Sequence, residues 1–254
     1  MSKTEEEYGW TAVPRSLAKL VASRENKQSP KPIKIEEIPL PDSPLVQSVL
    51  QYAKENLPRE TFHHSMRIFY YGTVTASRLT VTLSHSPNTL PGQAITTQYF
   101  PSWRYDPATY LLTCLLHDIG TTPSNQSSTS LSFEFFGGYL VLDLLKSLHA
   151  PVPQAELVAE AIIRHQDLGE TGMQTTVGAI THFSTIFDNA GGNAELVHEE
   201  TIRSVVAKWP REKWTGCFAH VVREEKRLKP WSHTTKIEGF EEMVEGNTVM
   251  EPYD

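Results

Sequence analysis

Histidine and aspartate side chains at the ends of apolar helical segments are the residues of this sequence that could do chemistry. The segment LLTCLLHDIG, residues 111–120, carries His117 and Asp118 directly after an uncharged apolar run. His64 and Asp188 lie on two other predicted helices, each on or near an apolar face. Two imidazoles and two carboxylates suit a borderline divalent cation such as Zn²⁺ or Fe²⁺. A cation would also remove the cost of burying Asp118 without a partner.

A further histidine could handle protons. His165 ends the segment AEAIIRH, and the unperturbed pKa of histidine, about 6.5, suits a proton shuttle or a group that orients substrate. Asp167 follows two residues later, where it either fixes the His165 tautomer or caps the next turn. Taken singly, each of these residues is more simply a satisfied core or helix-end residue, so the interpretation depends on the whole set.

Helices must position these side chains, because alternating β patterns are scarce and the predicted class is mostly α. Ser43 and Pro44 have the residue types that begin a helix, and Asp106-Pro107 opens another that we expect to end at Gly120. The other predicted helices cover about 59–79, 131–148 with a soft break at Gly137-Gly138, 153–165, 175–189 and 199–208.

The remaining segments lie outside these predicted helices. Residues 1–42 are rich in charge and proline and are expected to form an N-terminal arm on a single domain of residues 43–254. Residues 80–105 break the helical period and read as a long loop, and residues 121–130 read as a polar linker. The tail after residue 208 is rich in tryptophan and proline and forms a C-terminal extension.

Composition narrows the function classes. The 254 residues carry a formal net charge of −7, which disfavours nucleic acid or an anionic membrane as the main partner. Cys114 and Cys217 are too few for a disulfide framework or a paired-cysteine metal site. The acidic start MSKTEEEYGW lacks the apolar core of a secretory signal, and the longest apolar runs are short for a membrane span. We therefore expect a cytoplasmic protein.

Ordered sequence blocks resemble a known family. The order HHSMR, LLHDIG, RHQD and TIFDN is similar to the HD-domain metalloenzyme superfamily, whose signature is H…HD…D. The blocks GWTAVP, FHHSMRIFYYGTV, LLTCLLHDIGT, SFEFFGG, AEAIIRHQDLG, IFDNAGG and KPWSHTT together resemble the fungal cyanamide hydratases, from about residue 9 to residue 250. This resemblance implies an HD-domain helical bundle with a core over about 59–190, zinc-dependent hydration of cyanamide to urea, and a homo-oligomer.

The resemblance also implies site residues. The family's metal ligands fall on His64, His117, Asp118 and Asp188, and the local pattern HSMR selects His64 rather than His63. The expected reaction is addition of water across the C≡N bond by a zinc-bound hydroxide.

Other residues receive weaker assignments. Thr185 would hold the substrate's amino group, position the attacking water or act as a nucleophile, although a buried threonine on a helix more often bonds the carbonyl four residues back. Asn189 is a weaker catalytic candidate. His233 is expected to pack the C-terminal tail, and core positions are favoured for Trp231, Phe69 and Tyr70.

Two alternatives remain open from the sequence. An HD-type phosphohydrolase acting on a nucleotide would need arginines near the metal, and Arg67 and Arg164 stand close to the predicted site. The absence of a glycine-rich phosphate loop and the negative net charge disfavour it. A non-catalytic HD scaffold is the second alternative, although it would have no reason to keep a buried charged Asp118.

Overall fold

The computed structural model describes residues 3–76, 98–100 and 102–254, and within these ranges it is mostly helical, which confirms the predicted class. The HD-type arrangement itself stays a prediction. The helices of the described residues are α1 (Glu5–Tyr8), α2 (Leu17–Ser23), α3 (Pro44–Asn56), α4 (Arg59–Ala76), α5 (Pro107–Leu116), α6 (Pro123–Ser128), α7 (Phe133–Ser147), α8 (Val152–Arg164), α9 (Thr176–Ala190), α10 (Glu199–Lys208), α11 (Trp214–Leu228) and α12 (Phe240–Glu245). None of them combines the length and apolar character needed to cross a bilayer.

Five central helices form the body that carries the site. Helix α4 packs against α9 and α5, α5 packs against α8, and α7 lies along α8. Their facing side chains, among them Tyr71, Leu112, Ile162 and Ile180, are fully buried. Burying an aliphatic or aromatic side chain of this size contributes about 1.5–3 kcal/mol. The ends of α4, α5, α8 and α9 are therefore held close together by one continuous core.

Two helix starts agree with the capping residues in the sequence. The Ser43 hydroxyl accepts a hydrogen bond from the backbone N–H of Val46 (3.2 Å), with Pro44 in the first turn of α3. The Asp106 carboxylate accepts from the backbone N–H of Thr109 (3.0 Å) at the start of α5. These two hydrogen bonds confirm both predictions. An N-terminal cap depends on residues close together in the sequence, so it can be predicted from their types.

The predicted end of α5 at Gly120 is wrong. The α-helix ends at Leu116, and a short 3-10 turn, Ile119–Thr121, follows the His-Asp pair. A Cβ atom at Gly120 would collide with the backbone carbonyl of Phe133 at the start of α7. The glycine thus permits a close approach between two backbones rather than terminating a helix.

Two further predictions need correction. Residues 121–130, predicted as a linker, contain α6, which is capped by the Thr122 side chain and has Pro123 in its first turn. The predicted break at Gly137-Gly138 is absent, because α7 runs through both glycines. A Cβ atom at Gly138 would collide with Ile163, so this position lets α7 approach α8 closely.

The chain's outer segments pack on the central helices. Strand β1 (Ala12–Pro14) pairs antiparallel with β2 (Met173–Thr175), just before α9. The Trp10 indole donates a hydrogen bond to the Pro153 carbonyl (2.9 Å) at the start of α8. Most of the predicted 80–105 loop lies outside the described residues, and the division between arm and domain at residue 43 stays a prediction.

Candidate functional site

Three of the predicted metal ligands converge from the second turn of one helix and the end of another. His64 comes from α4, whereas His117 and Asp118 directly follow α5, and all three are buried. The Nε2 atoms of His64 and His117 are 3.2 Å apart. Asp118 Oδ2 lies 3.1 Å from His117 Nε2 and 3.8 Å from His64 Nε2. One ligand atom from each residue therefore lies within 4.8 Å of the others, which is the spacing of a metal-binding group.

The backbone sets the tautomer of His117. Its Nδ1 lies 2.8 Å from the carbonyl oxygen of Cys114, three residues earlier in α5. A carbonyl only accepts hydrogen bonds, so Nδ1 carries the proton. In the neutral ring Nε2 is then an unprotonated ligand atom that faces His64.

A carboxylate sets the tautomer of His64. Asp188 Oδ2 lies 2.6 Å from His64 Nδ1 and also accepts from Arg67 Nη2 (2.9 Å), while Asp188 Oδ1 accepts from Arg211 Nη1 (2.8 Å). Burial alone would raise the pKa of Asp188, but the two guanidinium groups hold that pKa well below its usual range. The ionised carboxylate must accept, so His64 Nδ1 donates. Burial also lowers the pKa of His64 to about 4, which keeps the ring neutral.

Two nitrogen lone pairs and a carboxylate thus face one another in a buried space. Neither oxygen of Asp118 accepts a hydrogen bond from the described residues, although buried polar atoms are normally satisfied. Burial disfavours the charged form of His117, yet Asp118 beside it raises the pKa of His117 on balance. The cluster attracts positive charge, and its donor set fits a divalent cation.

The fourth predicted ligand, Asp188, lies elsewhere. It contacts the Nδ1 edge of the His64 ring, whereas His117 and Asp118 lie at the Nε2 edge. The structure therefore brings three of the four predicted ligands together and places Asp188 behind one of them. Its assignment as a direct ligand stays a prediction.

His165 lies directly after α8 and faces the cluster. Its Nδ1 donates to the carbonyl of Ile162 (2.7 Å), so Nε2 is unprotonated in the neutral ring. That Nε2 lies 3.7 Å from Asp118 Oδ1. Burial, together with nearby His117, lowers the pKa of His165 and keeps it a neutral base. A cavity of about 30 Å³ adjoins these residues and is lined by the side chains of His117, Asp118, His165, Gln166, Leu168, Thr185, Ile186, Asn189, Ala190, Phe218, Ile237, Phe240 and Met243.

Thr185 and Asn189, both on α9, supply polar groups to this cavity. The Thr185 hydroxyl donates to the carbonyl of Thr181 (2.8 Å), so its lone pairs remain to accept a hydrogen bond. The Asn189 Oδ1 atom accepts from the indole Nε1 of Trp214 (2.7 Å). An indole only donates, so the amide orientation is fixed and Asn189 Nδ2 is left as a donor.

Comparison with known proteins supports the resemblance in the sequence. Two cyanamide hydratases of Saccharomyces cerevisiae, DDI2 and DDI3, are each 36% identical to this chain over 244 residues, which is 95% of this chain and 97% of theirs. The chain belongs to the cyanamide hydratase family. This finding confirms the predicted family, while no family model matches the sequence.

In this member of the cyanamide hydratase family, the two other histidines considered from the sequence lie outside the cluster. His63 Nδ1 faces the carbonyl of Pro210 at 3.1 Å. His233 Nδ1 lies 2.7 Å from Oε1 of the buried Glu134, and its ring stacks on Phe135. His233 therefore attaches the C-terminal extension to α7.

Asp167 and Trp231 do not lie in the cavity of this cyanamide hydratase family member. Asp167 Oδ1 accepts from Arg15 Nη1 (2.6 Å) and from Lys236 Nζ (2.8 Å), so it joins the N-terminal and C-terminal segments. The expectation that Trp231 is a core residue is wrong: it is 65% exposed, and its indole donates to the Ser130 carbonyl. Phe69 and Tyr70 are buried in the core as expected.

Sequence reasoning missed three residues that build this site. From the sequence, Arg67 is a candidate phosphate ligand only, and Arg211 and Trp214, in the stretch WPREKW, belong to the C-terminal tail. One signal was available, because a charged Asp188 on an apolar helix face requires a buried cationic partner. The sequence does not show which of its arginines reaches that aspartate.

Proposed function

We propose that this chain hydrates cyanamide to urea at a divalent-metal centre held by His64, His117 and Asp118. The observation that carries the proposal is the convergence of the His64 and His117 Nε2 atoms on the Asp118 carboxylate, with one ligand atom from each residue within 4.8 Å of the others. Family membership supplies the reaction. Zn²⁺ is the first candidate for a mixed nitrogen and oxygen donor set, and Fe²⁺ is the second.

The reaction adds one water across N≡C–NH₂. The water oxygen bonds to carbon, its two protons end on the former nitrile nitrogen, and the product is O=C(NH₂)₂. A divalent cation held by His64, His117 and Asp118 would supply Lewis acidity, which would polarise the nitrile and lower the pKa of water to about 7.

Residues around the cavity handle protons and hold the substrate. His165 Nε2, unprotonated and facing the cluster, accepts a proton from the attacking water and returns it to the nitrile nitrogen. The Thr185 hydroxyl oxygen accepts a hydrogen bond from the substrate's amino group. Asn189 Nδ2 donates to the nitrogen that becomes more basic during the reaction.

The two arginines that a phosphohydrolase would need for phosphate binding, Arg67 and Arg164, are engaged in other contacts. The Arg67 guanidinium is fully buried and donates to Asp188 and to the carbonyl of Pro210 (3.0 Å). Arg164 donates to Glu160 and to the carbonyl of Met173. None of the described residues that line the cavity beside the cluster is an arginine or a lysine, so the cavity offers no cationic side chain for a phosphate group.

The test is an activity profile of the metal-reconstituted chain. The protein is stripped with a chelator, reloaded with Zn²⁺ or Fe²⁺, and assayed for urea release from cyanamide and for phosphate release from nucleoside monophosphates. We expect urea without phosphate, and we expect His117→Ala to lower the rate by about 10²-fold or more, equivalent to about 2.7 kcal/mol.

His220→Ala is the matched control, because this histidine is exposed on α11. Phosphate release without urea would overturn the proposal in favour of the nucleotide reaction. A wild-type chain that takes up no stoichiometric metal would favour the non-catalytic scaffold. A cytoplasmic location and a homo-oligomeric state stay predictions from the sequence and the resemblance.

A further inference from the structure

We propose that Arg211 is a positioning residue for His64. It holds the Asp188 carboxylate in the one orientation that keeps the proton of His64 on Nδ1 and presents Nε2 to the metal. This inference rests on the metal centre of the proposed function. It gives the segment after α10, which lies outside the predicted HD core, a direct part in building the site.

The Arg211 guanidinium has a single orientation. The residue is fully buried, and its Nη1 donates to both the side-chain Oδ1 (2.8 Å) and the backbone oxygen (2.9 Å) of Asp188. Its Nε donates to Asp254 Oδ1 (2.9 Å), and its Nη2 donates to the Thr215 hydroxyl (3.0 Å). Since all three nitrogens of the planar group are bound, it cannot turn without breaking several hydrogen bonds.

Arg211 determines which Asp188 oxygen is available to His64. Arg211 binds Oδ1, whereas Arg67 straddles the carboxylate, with Nε 3.0 Å from Oδ1 and Nη2 2.9 Å from Oδ2. Oδ2 then lies 2.6 Å from His64 Nδ1. Without Arg211 the carboxylate could rotate about its Cβ–Cγ bond while still bound to Arg67. The constraint on the His64 proton would then weaken.

The two arginines have different origins. Arg67 lies one turn after His64 on α4, so it moves with the ring that it helps to hold. Arg211 lies in the segment between α10 and α11 and is held by Asp254, near the far end of the described chain. The pair Arg211–Asp254 therefore fixes Asp188 from outside the helix that carries His64.

The test combines metal affinity with the tautomer of His64 in the full chain. The Kd for Zn²⁺ is measured by competition with a chromophoric chelator. The tautomer is read from ¹⁵N-histidine NMR of the metal-free protein, with the His64 signals identified by their loss in His64→Gln. We expect Arg211→Met to raise the Kd about 10-fold and by no more than about 100-fold, since 10–100-fold is the range for losing the direct partner of a metal-binding histidine and Asp188 is still present. A fraction of His64 should also shift to the Nε2–H tautomer.

Matched variants separate positioning from loss of fold. Arg211→Lys keeps the charge without the fork and should recover part of the affinity. Asp254→Asn is milder, because its side chain is 22% exposed, and it should raise the Kd in the same direction even where Arg211→Met does not fold. Arg223→Met removes an exposed ion pair with Glu245 and should leave both readouts unchanged.

Two results would overturn the inference. One is a Zn²⁺ affinity within about twofold of wild type in Arg211→Met, with His64 still in the Nδ1–H form. The other is tighter binding in that variant, since freeing Asp188 would then have supplied a ligand and Asp188 itself would bind the ion. If the wild type fails to bind Zn²⁺ or to release urea, the proposed function fails instead, while the tautomer measurement on the metal-free chain still tests the Arg211 contact.

Discussion

The His64 imidazole and the Trp214 indole lie face to face, with ring centroids 4.3 Å apart and planes inclined by 14°. The same indole donates its N–H to Asn189 Oδ1 at 2.7 Å. One buried side chain thus touches both a candidate metal ligand and a candidate substrate-binding amide. The stack restricts the His64 ring, while the hydrogen bond fixes which amide atom faces the cavity.

Trp214→Phe should separate these two effects. Phenylalanine retains a ring against His64 but cannot donate to Asn189, so the amide is free to flip. Loss of one such hydrogen bond costs about 0.5–1.5 kcal/mol, and we expect kcat/KM for cyanamide to fall up to about 10-fold. Zn²⁺ content should match wild type, whereas Trp214→Leu should lower both quantities. Equal activity in Trp214→Phe and wild type would remove Asn189 from the substrate contacts.

Thr185 is expected to act through its hydroxyl. Thr185→Val keeps the shape but deletes the acceptor, so kcat/KM for cyanamide should fall about 10–100-fold, and Thr185→Ser should recover most of the loss. Thr181→Val is the control, since its hydroxyl also bonds a carbonyl four residues back (2.8 Å) but does not line the cavity. Steady-state kinetics in which the two valine variants behave alike would show that Thr185 is only structural.

The size of the cavity should limit the substrate. Phe240 on α12 forms part of its wall, so Phe240→Ala opens a space of about the size of a benzene ring. We expect the ratio of kcat/KM for phenylcyanamide over cyanamide to rise about 10-fold or more, because small pocket changes are worth about 1–3 kcal/mol. Phe240→Leu should give a smaller rise in this ratio. It is the control for the case in which Phe240→Ala destabilises the fold. A ratio that does not move in either variant would argue against this wall as the size limit.

Gly120 should tolerate no side chain. In Gly120→Ala the new Cβ meets the Phe133 backbone, which cannot turn aside as a flexible side chain could. We expect the free energy of unfolding to fall by about 1–3 kcal/mol and Zn²⁺ binding to weaken, since Asp118 lies two residues away. Gly216→Ala on α11 meets nothing within 4 Å and should instead stabilise the protein by about 0.5–1 kcal/mol. Urea unfolding curves of the two variants test the contrast.

The lowered pKa of Asp167 predicts that the stability of the fold depends on pH. Burial alone would raise its pKa, but the bonds from Lys236 and Arg15 hold that pKa well below the usual value. The stability that Asp167 contributes is therefore present above its unfolded pKa of about 3.9, and is lost as the pH falls through the lower folded value. Asp167→Asn should lower the free energy of unfolding by about 1 kcal/mol or less at pH 7 and equally at pH 5.

That deficit should shrink only below about pH 4. Arg15→Met should show the same pH profile, because it removes one partner of the same carboxylate. Urea titrations at pH 7, 5 and 3 measure both variants. A deficit that grows on acidification would mean that another group is responsible.

Local features of this fold could be predicted from the sequence, whereas contacts between distant segments could not. The caps at Ser43 and Asp106 depend on neighbours three residues away, so their residue types suffice. Gly120 has the residue type of a helix end, and nothing nearby in the sequence indicates its close contact with the Phe133 carbonyl. The same limit applies to α11, whose apolar face packs on α12 and on α4.

Some residues of the candidate site could likewise be predicted from the sequence, and others could not. His64, His117 and Asp118 could be identified because polar residues on apolar helical segments are unusual, and their order resembles a family. The position of Asp188 behind His64 could not be predicted, because it depends on Arg211, which lies 23 residues later in the sequence. A sequence indicates which buried charge needs a partner but not which partner the fold brings.

The orientations of His117 and His165 rest on main-chain oxygens, those of Cys114 and Ile162, and no side-chain replacement can take a main-chain oxygen away. Mutations can therefore change the metal preference of this centre most readily around His64, because the atoms that hold this ring belong to the side chains of Asp188 and Trp214. A search for variants with altered metal preference should start there and leave the other two rings untouched.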